Sequence, residues 1–131
     1  MASTAIQVEV APGELIDKIT ILEIKSERMD GPKKVANVQT ELKTLVAARD
    51  RAIAPSEALQ SLTQQLREVN EQLWNIEDSI RDCERNQDFE GPFIELARAV
   101  YHTNDKRAAL KRDINELLGS RLIEEKSYSE Y

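Results

Sequence analysis

Cysteine and histidine are almost missing from this sequence, which contains one of each, Cys83 and His102. A single cysteine excludes an internal disulfide, and one thiol with one imidazole cannot supply the ligand set of a zinc site. The sequence also lacks a glycine-rich phosphate loop and a nucleophile motif. We therefore expect neither a structural transition metal nor a cofactor.

Long apolar runs and basic clusters are missing as well. No stretch approaches the roughly 20 apolar residues that a membrane span needs, and residues 1–5 lack the basic segment and apolar run of a signal peptide. The chain has 18 basic and 24 acidic residues, a net charge of −6, without a Lys/Arg cluster that would bind phosphates. These features predict a cytoplasmic protein that binds neither nucleic acid nor membrane and whose partners are neutral or basic.

Aromatic residues, glycine and proline are also scarce. Aromatic residues make up 5% of the 131 positions, so the core must be aliphatic, and four glycines with four prolines argue against a many-turned β fold. A chain of this length is expected to form one domain, residues 1–131.

The spacing of the apolar residues predicts an all-α antiparallel bundle of about four helices, over residues 12–29, 33–53, 56–86 and 92–118, followed by a polar tail, 120–131. The first helix is apolar nearly all round, which is typical of a helix in the centre of a bundle. In the third helix, apolar residues recur every three or four positions from Leu59 to Cys83, the narrow seam of a coiled coil. The fourth continues this spacing after a short turn, so the two should form a long antiparallel hairpin.

Two features suggest a further partner. The segment Ile6–Val10 alternates apolar and polar residues, which favours a short extended strand. A lone strand needs a second one, from residues 121–126 or from a second subunit. The third helix has an apolar seam on one side and Trp74 on another, and both sides must pack against other residues. We therefore predict a homodimer.

Two polar residues, Thr103 and Arg107, fall at seam positions of the fourth helix. A buried arginine needs a carboxylate, since an unpaired one would cost several kcal/mol. The first turn of the central first helix offers Glu14 and Asp17, and we expect Arg107 to pair there. Such a pair is either a polar layer that fixes the helix register or part of a functional pocket.

The only tryptophan, Trp74, shares a helix face with charged residues such as Asp78 and Arg81. Aromatic side chains at helical spacing usually serve packing. Trp74 would then cover a neighbouring helix or a second subunit, with the charges at its rim. The alternative is a binding face for a partner or a ligand.

Carboxylates at helical spacing, Glu14 with Asp17 and Glu68 with Glu71, suggest a second function, because hard cations such as Mg²⁺ take oxygen ligands. All-α nucleotide pyrophosphohydrolases bind Mg²⁺ in this way. Their pattern requires a downstream Glu-x-x-Asp, and no such spacing follows Glu71. Carboxylates of this kind are more often solvated helix faces.

Four segments resemble a small bacterial family of about this length that is known as a domain of unknown function: PGELIDKITILEIK at 12–25, LWNIEDSIR at 73–81, FIELARAVYHTNDKR at 93–107 and EEKSY at 124–128. The resemblance implies one domain but no activity, substrate or cofactor. Its polar positions are the candidates for a shared site. They are Glu14, Asp17, Trp74, Glu77, Asp78, Arg81, Asn104, Asp105, Arg107 and Lys126.

The sequence thus favours a helical interaction or adaptor protein with an unidentified protein partner over an enzyme. The alternative is a small Mg²⁺-dependent enzyme that acts on a nucleotide or a phosphorylated substrate.

Overall fold

A computed structural model describes residues 4–131 and contains four helices: α1 (Pro12–Arg28), α2 (Pro32–Ala52), α3 (Glu57–Arg85) and α4 (Gly91–Leu117). The predicted all-α bundle built on the α3–α4 hairpin is confirmed. Every helix bound lies within one residue of the sequence prediction. None of the helices in this part of the chain combines the length and apolar character that crossing a bilayer requires.

The helix ends follow local chemistry. Helices α1, α2 and α4 each have a proline in the first turn, where the missing N–H costs no intrahelical hydrogen bond. Helix α3 begins instead with a side-chain cap, in which the Leu59 N–H donates to Ser56 Oγ over 3.1 Å. Between α1 and α2, Gly31 has a φ of 101°, a conformation that favours glycine.

Helix α1 lies at the centre, as its apolar girth predicts, and packs against each of the other three helices. Ile16, Ile19 and Ile24 are each 1% exposed. Ile16 joins Leu66 of α3 and Ile114 of α4 in the main apolar cluster. By contrast, α1 is the only helix that α2 contacts. The candidate site is therefore built from α1, α3 and α4.

The N-terminal turn of α1 lies directly on α4. The backbone N–H of Gly13 donates to Asn115 Oδ1 over 2.7 Å, and both residues are buried. A Cβ at position 13 would overlap the carbonyl oxygen of Lys111. Glycine therefore sets how closely the two helices approach.

The segment Ile6–Val10 forms no strand, because residues 4–131 contain no second strand to pair with it. The prediction that residues 121–126 could form the second strand is wrong, because these residues contain no strand. The two segments do meet through an ion pair between Glu9 and Arg121.

The polar tail folds back along α4. Glu125 binds Arg112 over 3.1 Å, and the Tyr131 hydroxyl donates to Asp105 over 2.5 Å. The Tyr131 ring lies 5.1 Å from that of Tyr101.

Candidate functional site

A stripe of four polar side chains at spacings of four residues runs along α4, and three of them bind residues of α1. We call it the α4 stripe, and its members are Thr103, Arg107, Lys111 and Asn115. Three of them are buried, and Arg107 is half-buried. Because α1 runs antiparallel to α4, Gly13 meets Asn115, Glu14 meets Lys111 and Asp17 meets Arg107. The interface between these helices thus contains a row of polar contacts beside the apolar cluster of Ile16 and Ile114.

The predicted pairing of Arg107 with α1 is confirmed, and the partner is Asp17. Arg107 Nε donates to Asp17 Oδ1 over 2.9 Å, and Nη2 donates to Oδ2 over 2.5 Å. The Asp17 side chain is 1% exposed and that of Arg107 is 30% exposed. The hydrogen bonds with Asp17 raise the pKa of Arg107, against the lowering effect of its burial. The guanidinium is therefore held at its buried edge while its other edge reaches the surface.

A third helix completes this network. Asn70 of α3 donates through Nδ2 to Asp17 Oδ1 and to Thr20 Oγ1, both over 2.9 Å. Thr20 Oγ1 in turn donates to the backbone oxygen of Asp17 over 2.8 Å. The bond from Asn70 to the Asp17 carboxylate is charge-assisted, and such bonds are about twice as strong as neutral ones. Asp17 therefore joins α1, α3 and α4 at one point.

The exposed edge of Arg107 lines a groove of about 340 Å³, which we call the Trp74 groove. Five of the predicted residues meet here: Trp74, Glu77, Asp78, Arg81 and Arg107. The other lining residues are Ile21, Leu73 and Asn70. The groove thus has an apolar floor with charged groups of both signs around it, in the size range of small-ligand and side-chain pockets.

Within the groove, the half-buried Trp74 has α1 on one side. Ile21 of α1 is beside it, and the Arg28 guanidinium lies 6.0 Å from the centre of its ring. Arg28 is itself held by a 2.6 Å hydrogen bond to Asn75 Oδ1. The packing role expected for Trp74 against a neighbouring helix is therefore present, and part of the ring still faces the groove.

Glu14, the acidic residue in the first turn of α1, belongs to a second ionic cluster. Its partner Lys111 is almost buried, and the Lys111 Nζ lies 2.7 Å from Glu14 and 2.9 Å from Glu124 of the tail. Burial lowers the pKa of Lys111, but the hydrogen bonds to the two carboxylates outweigh it, so the net shift is upward. The tail is thereby anchored to α4.

We expect Glu124→Gln to lower the free energy of unfolding by about 1 kcal/mol, because the almost buried ammonium loses one of two charged partners. The neighbouring substitution Glu125→Gln is the matched control. Its partner Arg112 is exposed, so we expect a change within about 0.5 kcal/mol. Urea unfolding at pH 7 measures both values, and equal effects would contradict an anchoring role for Lys111.

The remaining predicted residues, Asn104, Asp105 and Lys126, lie together in a different groove. Tyr101 and Tyr128 flank them, and the volume is about 420 Å³. The Lys126 ammonium lies 3.8 Å from Asp105 and 5.5 Å from the centre of the Tyr128 ring. The ten predicted residues thus divide between the Trp74 groove, the Asp17–Arg107 ion pair behind it, the Glu14–Lys111 cluster and this tail groove.

The carboxylates considered for Mg²⁺ already have partners. Asp17 directs both oxygens at Arg107, and Glu14 is bound to Lys111. On α3, Glu71 accepts from Arg67 over 3.1 Å. Within residues 4–131, no three His, Cys, Asp or Glu side chains are grouped in a way that would hold a metal ion.

A larger hollow of about 540 Å³ lies at the turn between α2 and α3. Three charged residues line it: Arg49 and Asp50, which pair with each other over 3.1 Å, and the exposed Glu57. None of the charged residues that line it is buried, whereas the 1% exposed Asp17 holds Arg107 at the Trp74 groove. The Trp74 groove is therefore the stronger candidate site.

Three residues of the site, Asn70, Thr20 and Lys111, are not among those that the sequence predicts. Only the polar spacing of four on α4 could have indicated Lys111, since it follows Arg107 by one turn. Asn70 lies beside seam residue Val69, and its role depends on how α3 is rotated against α1.

These observations define a class of protein: a four-helix bundle with an Asp–Arg ion pair behind an open groove. The chain belongs to the Family of unknown function (DUF6165), whose family model matches residues 6–131. The match agrees with the resemblance found in the sequence. No curated protein and no solved structure matches the chain significantly.

Proposed function

We propose that this protein is a helical interaction or adaptor protein and that it binds a protein partner in the Trp74 groove. The observation that supports this most is the arrangement of Arg107, which reaches the groove from a buried carboxylate. Tryptophan and arginine are the residues that most often dominate binding energy at interfaces. A guanidinium that is fixed in advance loses little further freedom on binding.

The charges around the groove favour a neutral or basic peptide segment as the partner. Asp78 forms no ion pair within residues 4–131, whereas Glu77 lies 3.4 Å from Arg81. Asp78 is therefore available to a lysine or arginine of the partner. The net charge of −6 also favours association with a basic surface. An apolar side chain of the same segment would lie on Trp74 and Leu73.

The alternative, a Mg²⁺-dependent enzyme, has less support. Using Asp17 as a metal ligand would break its bidentate pair and leave Arg107 without its carboxylate. Glu14 would similarly have to leave Lys111. The homodimer and the cytoplasmic location remain parts of the proposal.

A random-peptide display selection on the wild-type protein tests the groove. We expect the enriched peptides to combine an apolar residue with a lysine or arginine. Because Trp74 is the only tryptophan, its fluorescence reports binding of a synthetic peptide directly. Binding measured by calorimetry should weaken about 30-fold in Trp74→Ala, the ratio that corresponds to about 2 kcal/mol.

Two further variants sharpen the test. Asp78→Asn should weaken binding about fivefold, the effect of losing one charge pair of about 1 kcal/mol. Phe89→Ala removes an exposed aromatic residue at the α3–α4 turn, away from the groove, and should leave affinity unchanged. Peptides that bind wild type and Trp74→Ala equally well, or a selection without enrichment, would contradict the proposal.

A further inference from the structure

Apolar side chains are exposed together at one end of the bundle. Ile6 is 82% exposed, Val8 72% and Val10 49%. Leu117 and Ile123, 45% and 46% exposed, are on either side of Arg121, which binds Glu9. We call these five residues the end surface. Clusters of exposed apolar residues of this kind mark interaction sites.

The backbone at the end surface is unpaired as well. Among residues 4–131, the N–H and C=O groups of Ile6–Val10 form no hydrogen bonds with other backbone groups. In a paired strand, successive side chains point to opposite faces, so pairing would place Ile6, Val8 and Val10 on the face opposite Glu9. The Glu9–Arg121 ion pair holds the polar face towards the protein's own tail. The apolar face and the backbone edge are left for a partner.

We propose that this partner is a second copy of the chain, and that Ile6–Val10 pairs antiparallel with the same segment, centred on Val8. This inference rests on the homodimer in the proposed function and names its interface. Around a two-fold axis at Val8, Ile6 lies opposite Val10, Gln7 opposite Glu9, and Val8 opposite itself. Apolar residues meet apolar residues, and no like charges stand directly opposite each other.

The self-complementary sequence is what favours a second copy over another protein. A C2 interface needs one patch that fits itself, and this segment meets that condition at every position. A two-stranded ribbon alone is marginal in water, and Leu117 and Ile123 extend the apolar area on each copy. The family match begins at Ile6, so the segment is part of the shared domain.

Cysteine crosslinking tests the register. In a Cys83→Ser background, Val8→Cys places two thiols opposite each other across the axis, at the Cα separations of about 4.5–5.5 Å found in antiparallel pairs. We expect a near-complete symmetric disulfide under mild oxidation at micromolar concentration. The control is Ile94→Cys in the same background, a comparably exposed residue on α4, which should remain mostly monomeric on a non-reducing gel.

Light scattering with two neighbouring lysine substitutions tests the interface itself. We expect wild type at twice the chain mass of 14.9 kDa and Val8→Lys at the single mass, because two lysines would meet at the axis. Gln7→Lys adds the same charge one residue away, opposite Glu9, and should keep the dimer mass. Circular dichroism should be unchanged in both, since both side chains are exposed.

The outcomes separate this inference from the wider proposal. A wild-type dimer that resists Val8→Lys and does not crosslink through position 8 would overturn the named interface and leave the homodimer standing. A wild-type monomer at all micromolar concentrations would overturn both. Neither result bears on peptide binding in the Trp74 groove, which has its own test.

Discussion

Gly13→Ala is expected to lower the free energy of unfolding by about 3 kcal/mol, although alanine normally favours a helix over glycine by about 1 kcal/mol. The new Cβ would overlap the Lys111 carbonyl oxygen and lie 2.9 Å from Asn115 Oδ1. Since the carbonyl is backbone, relief requires α1 to move away from α4. That movement stretches the Gly13–Asn115 hydrogen bond and the Glu14–Lys111 ion pair.

Gly91→Ala is the matched control, because position 91 is also in the first turn of a helix and no atom lies within 4 Å of its added Cβ. It should leave stability unchanged or raise it by up to about 1 kcal/mol. Urea unfolding followed by circular dichroism gives both values. A Gly13→Ala protein as stable as Gly91→Ala would mean that α1 and α4 are farther apart than described.

The helices were predictable because their signals are local. Proline in the first turns, Gly31 and Gly91 at the turns, and apolar residues every three or four positions depend on neighbouring residues alone. The exception, Ile6–Val10, shows the limit of such signals. Alternation indicates an extended chain, but a strand exists only when a second one is available, and the described chain offers none.

The candidate site was predictable in part for the same reason. The sequence predicts that Arg107 pairs with α1, because its seam position requires an acid and the apolar residues on all sides of α1 indicate a central helix. The close contact at Gly13 was not predictable, since Pro-Gly-Glu reads equally well as an ordinary helix start. Nothing in the residue types of Trp74 and Arg107 places them in one groove. That depends on the rotation of α3 and α4 about their axes, which the packing of both against α1 determines.

The Asp17–Arg107 pair has both of the roles that the sequence left open, a polar layer between helices and part of a pocket. Its buried side fixes α1 against α3 and α4 through Asn70, as a structural polar layer would. Its exposed side forms a wall of the Trp74 groove. Stability and binding should therefore respond differently to substitutions at its two ends. A change at Asp17 alters the support of the guanidinium, whereas a change at Arg107 also removes the group that faces the partner.

Arg107→Met is expected to lower the free energy of unfolding by about 3 kcal/mol, because it retains apolar volume but leaves the Asp17 carboxylate buried without its cation. Asp17→Asn should cost less, about 2 kcal/mol, since Arg107 is 30% exposed and water can solvate it, whereas Asp17 is 1% exposed. The double variant should cost clearly less than the sum of the two single effects, as expected for groups in direct contact.

Arg81→Met, at a 72% exposed position, is the control and should change stability by no more than about 0.5 kcal/mol. Urea unfolding of the four variants tests the pair. Additive effects at Asp17 and Arg107 would show that the two side chains do not support each other.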